Sequence, residues 1–206
     1  MDIATPDQTG NDCTDRNRSY HHGDLKNALL TAARTMLESQ TTASISFRAV
    51  ARAANVSHAA PYRHFASQEA LLAEVARHGF IELRDEISTI SGQTQQSQIS
   101  SLCRVYMGYI RKHPALSRLM FESQILNRQS YPALRGAARD IGVEIGIILN
   151  NTTLGLSIWG ALHGMAMLML EDIIEFEHSP SDIEAYAARA EHMLNTLTAP
   201  RDMQVA

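Results

Sequence analysis

The stretch from Asn55 to Phe65, NVSHAAPYRHF, crowds two histidines, a tyrosine and an arginine around a proline. Imidazoles at such density raise the possibility of a metal site, but the spacing argues against it. His58 and His64 are separated by about 240° of helix rotation, so they cannot share a ligand face. His21 and His22 are adjacent and diverge for the same reason. No Cys, Asp or Glu stands at ligand spacing near His58 and His64, and no metal is expected. Small, hydroxyl, imidazole and guanidinium groups on one short helix suit another task, which is touching a groove and its flanking phosphates.

The flanking residues must hold that helix outward. Ser46 is placed to cap a short helix through SFRAVARAA, and Ala51 is small where two helices cross closely. Asn55 stands at the turn, where a left-handed backbone suits glycine first and asparagine next. Ser57 is the expected N-cap of the second short helix, which makes Pro61 its fourth helical residue. Pro61 and Phe65 then face inward together. His58, Ala59, Tyr62 and Arg63 face outward, with Ala60 and His64 at the edges. This is helix-turn-helix patterning. Ser67 is expected to cap a long following helix.

Charge agrees with the placement. The net charge is −4, but residues 16–68 carry seven bases against two acids. The first fifteen residues and the segment 69–206 are both acidic. A positive segment within an acidic chain fits an anionic partner such as nucleic acid, although charge alone does not separate this from chance unevenness.

The remaining sequence predicts an all-α chain of about nine helices with no strand. Residues 1–18 read as a disordered tail, and a helical pattern starts at Asp24. SGQTQQSQ (91–98) reads as a connector. Further helices are expected near 99–112, 114–126, 132–150, 153–174 and 181–197, with Pro114, Pro132 and HSPSD (178–182) at starts. Residues 154–170 contain no acid or base but only just reach spanning length, so they read as a buried or interface helix. The two cysteines are far apart in sequence and form neither a disulfide framework nor a zinc motif, and no signal peptide is evident. A cytoplasmic protein without a cofactor is expected.

Residues 45–72, ISFRAVARAANVSHAAPYRHFASQEALL, resemble the DNA-binding signature of TetR-type (tetracycline-repressor-like) transcriptional regulators. YHHGDL (20–25) and WGALHG (159–164) resemble a subgroup named for Trp, His and Gly in its C-terminal domain. The resemblance implies a DNA-binding domain at 19–66 and a ligand-binding and dimerisation domain at 67–200. It implies that Arg48 reaches a base edge and that Ser57, His58, Ala59 and Ala60 lead the recognition helix. Tyr62 and His64 match the phosphate-contacting pair. Gln68 departs from a usual lysine, and Asn55 from a usual glycine. With Ser46 and Arg63, these residues (Asn55 apart) form the expected DNA-binding set.

Such proteins work as homodimers on palindromic operators, usually as repressors released by a small-molecule inducer. Gly160 and Gly164, one turn apart, are the expected seam for a partner helix, joined by Tyr186, Ala190 and Met193 from the last helix. Met107, Met120, Phe121, Trp159, His163 and Met167 are the expected pocket residues. The alternative is an all-helical enzyme, or a small-ligand carrier, with a histidine-containing apolar pocket. Against an enzyme, no nucleophile has a recognisable base and orienter.

Overall fold

The computed structural model describes residues 15–39, 45–92, 94–122, 130–171, 173 and 183–198, leaving aside the side chains of 15–24, 183–186 and 197–198. Among the described residues there are nine helices and no strand. They are α1 (Asp15–Ser39), α2 (Phe47–Ala53), α3 (Ala60–His64), α4 (Gln68–Ser88), α5 (Gln95–Lys112), α6 (Pro114–Phe121), α7 (Pro132–Ile148), α8 (Thr152–Leu170) and α9 (Ile183–Thr198). The region 178–182 and the Tyr186 side chain lie outside the described residues.

Local chemistry sets the boundaries. Ser46 caps α2 by accepting the Ala49 N–H at 3.2 Å. Asn55 has φ 54°, while Asn55 N–H donates to Arg52 O and Val56 N–H to Ala51 O. These two bonds form a Schellman close with asparagine in the left-handed position. The device recurs where α7 ends. Asn150 has φ 50°, with bonds from Asn150 to Ile147 and from Asn151 to Gly146. Asn151 then caps α8 by accepting the Leu154 N–H at 3.0 Å. Ser67 caps α4 through the Ala70 N–H at 3.0 Å.

Several boundaries differ from the sequence expectation. α1 begins at Asp15, so residues 15–18 are its first turn rather than tail. α5 begins inside the stretch read as a connector, because Thr94 and Ser97 form a reciprocal capping box ahead of an exposed polar turn. α3 starts at Ala60, not after Ser57, and Ala59 caps it without a side-chain bond. Ser57 contributes its carbonyl, which accepts the Ala60 N–H at 2.9 Å. Pro61 is therefore in the first turn, where its fixed φ fits and no intrahelical N–H is missed.

One hydrophobic cluster runs from Leu29 in α1 to Leu194 in α9. α4 is its axis, packing against α1, α5, α6 and α7. α8 is the described helix long and apolar enough to cross a bilayer. Here it packs on α7, α5 and α9, burying Ile158, Leu162, Ala166 and Met169. α7 and α8 cross through glycine. A Cβ on Gly155 would stand 2.4 Å from Gly146 N and 2.8 Å from Gly142 O.

Candidate nucleic-acid interface and cavity

The first three helices present one well-anchored surface. Phe47, Val50 and Ala51 of α2 are buried, as are Ala60 and Pro61 of α3 and Phe65 just beyond it. The Phe47 ring sits edge-on to Tyr62 at 4.8 Å and 88°. Tyr62 is nonetheless 70% exposed, a large aromatic held firmly yet left open. Arg48, Ser57, His58, Ala59, Arg63 and Gln68 are exposed as well, while Ser46 and His64 are half-buried. Ala60 departs from the expected set. At 4% exposed it faces the interior, because the later start of α3 rotates its methyl onto the core.

α1 is tied to α4 by ion pairs. Lys26 Nζ lies 3.1 Å from Glu74, which also accepts from Arg77 at 2.8 Å. These hydrogen bonds, Arg77's foremost, hold the Glu74 carboxyl at a pKa of about 2. Further along, Arg34 pairs with Glu82, and His113 Nδ1 lies 3.8 Å from Glu38. Tyr109 donates to the Gly79 carbonyl at 3.0 Å. A polar seam thus joins α1 to α4 and to the α5–α6 junction.

Helices α4, α6, α7 and α8 border an open cavity of about 630 Å³. Phe80, Phe121, Leu156 and Trp159 provide most of its apolar wall, together with Ala138 and Gly160. His163, Arg135 and Arg139 complete it. The His163 ring stacks on Phe121 at 3.8 Å and 31°, and its Nδ1 lies 3.4 Å from the Tyr106 hydroxyl. Burial lowers the His163 pKa and raises that of Tyr106. Both groups are therefore neutral near pH 7.

Of the expected pocket residues, Phe121, Trp159 and His163 line the cavity. Met107 and Met120 are instead fully buried in the core, Met120 against Gly79, and Met167 is half-buried outside the lining. Sequence reasoning missed Phe80, Ala138, Leu156 and both arginines. The available signal was Arg135 and Arg139 one turn apart, a like-charge spacing that disfavours a helix.

The expected seam on α8 is open. Gly160 and Gly164 are exposed, and a Cβ on either would meet nothing within 4 Å. Leu156, 62% exposed, and Leu168 continue the same stripe. α9 behaves differently. Ala190 is fully buried because the apolar stripe Ala187–Ala190–Leu194 packs onto α5 of its own chain, so Ala190 cannot reach a partner. Met193 is half-buried. Among the described residues no three His, Cys, Asp or Glu side chains converge as a metal site.

Residues 29–75 match the family model of bacterial regulatory proteins, tetR family. None of the curated proteins matches the sequence. Among solved structures, the chain is similar to a protein of unknown function from Rhodococcus sp. RHA1 (TM-score 0.68, 23% identity, 85% of this chain and 95% of that one). It is also similar to a tetR-family bacterial regulatory protein from Rhodococcus RHA1 (TM-score 0.66, 15% identity, 84% and 96%). A third is a TetR-family transcriptional regulator from Pectobacterium atrosepticum (TM-score 0.64, 18% identity, 87% and 94%). Residues 29–75 thus carry a tetR-family helix-turn-helix segment, and the chain shares the fold of TetR-family transcriptional regulators.

Proposed function

We propose that the chain is a ligand-responsive repressor that binds a palindromic operator as a cytoplasmic homodimer and is released by a small-molecule inducer. Residues 19–66 read DNA, and residues 67–200 hold ligand and partner. The carrying observation is Tyr62, braced on Phe47 yet 70% exposed, with Arg48, His58 and Arg63 also exposed on α2, α3 and the turn between them. A short α3 makes few contacts alone, so two copies on two half-sites supply the affinity. The open α8 stripe of Leu156, Gly160, Gly164 and Leu168 is the partner surface, and Leu156 and Gly160, which also line the cavity, mark where the two meet. In this reading Arg48 reaches a guanine edge, with Ser57, His58 and Ala59 at the groove, while Tyr62, Arg63, His64 and Gln68 meet the backbone.

Mobility-shift titration on DNA from the region upstream of its own gene tests this. A specific shift at low salt is expected, lost when Arg48→Ala and Tyr62→Ala are combined. Tight binding of a small molecule with no DNA shift would support the carrier reading instead.

A further inference from the structure

We propose that the cavity between α4, α6, α7 and α8 takes a carboxylate with an apolar body, its head group held by Arg135 and Arg139. This rests on the ligand-responsive reading above and names the ligand class. The two arginines stand one turn apart on α7 and both line the cavity. Such a pair repels itself along the helix unless an anion lies between or across it. Among the described residues neither arginine makes an ion pair. The acids of α7, Asp140 and Glu144, lie on a different stripe and act on Arg84 of α4.

The rest of the wall defines the body of the ligand. Phe80, Phe121, Leu156 and Trp159 favour an aromatic or alkyl group, and neutral His163, stacked on Phe121, adds no charge. The volume falls within the usual range for small-molecule sites. A carboxylate suits this setting better than a phosphate dianion, because much of the wall is apolar and desolvating the dianion costs more. Both arginines are exposed, so a head group bound there covers them and gains from the lost water.

Isothermal titration of the full chain with naphthylacetate and octanoate, each beside its primary amide, tests the inference. At least one carboxylate should bind about tenfold or more tightly than its amide, as expected for a charge-assisted hydrogen bond. Combining Arg135→Gln and Arg139→Gln should bring that ratio to about one, with helicity checked by circular dichroism. Equal binding of acid and amide, a preference that survives the double substitution, or no carboxylate binding would each overturn the proposal. DNA binding by the unliganded chain is measured separately. A shift retained without carboxylate preference sinks the ligand class alone, whereas absence of a shift sinks the regulator reading.

Discussion

Gln68 opens α4 directly after the Ser67 cap, exposed and on the helix-turn-helix side of the chain. In the family it resembles, lysine is usual there, so Gln68→Lys should add one phosphate contact. The expected outcome is tighter operator binding at low salt, with the salt slope steeper by about 0.9. Titrations at several salt concentrations check it, and an unchanged slope would remove Gln68 from the interface. At this scale much was legible in the sequence, because capping is local. Ser46, Asn55 and Ser67 each act on groups within five residues, and each does what its type and position imply. Ala60 was not legible. Whether its methyl faces groove or core depends on a start shifted by a few residues, and Pro61 decides that start.

The helix pair α7–α8 is set by glycine backbones in contact, and this gives opposite expectations for similar substitutions. Gly155→Ala places a Cβ against the Gly146 backbone, so the helices must part, at a cost of about 1–3 kcal/mol. Gly136→Ala on α7 meets nothing within 4 Å and should be neutral or stabilising by up to about 1 kcal/mol. Urea denaturation of the two variants measures the contrast. Gly164 tests the other side of α8. Because its surroundings within the chain are open, Gly164→Leu should leave the subunit folded but weaken self-association about tenfold or more, read by sedimentation equilibrium. If association is unchanged, the stripe is not the seam. The helices themselves could be read from apolar spacing and proline starts. Which face of α9 is covered could not, since α5, the helix that covers Ala187, Ala190 and Leu194, is distant in sequence. The same holds for the cavity, where Arg135 and Arg139 meet Phe80 and His163 only after folding.

For the whole molecule, acid should act in two stages. His113 and His163 are both lowered from the ordinary histidine value, chiefly by burial. Between their folded values and about 6.5 the unfolded chain binds more protons, so stability holds above about pH 6.5 and declines below it. Glu74, at about 2 when folded, contributes above its ordinary value of about 4.3 and loses that contribution as pH falls toward 2. Urea midpoints from pH 8 downward should therefore begin to fall near pH 6.5, and His163→Gln should flatten that first decline. The continuous core also bears on how the chain melts. Trp159 is the sole tryptophan and its ring borders Gly142 of α7, where an added Cβ would stand 3.3 Å from it, so its emission reports the α7–α8 contact, far in sequence from α2 and α3. Far-ultraviolet circular dichroism follows every helix at once. Since α4 belongs to both ends of the core, heating should give two superimposable curves, one cooperative transition seen by two probes. An earlier dichroism transition with emission unchanged would mean that the DNA-reading helices come apart as an autonomous unit.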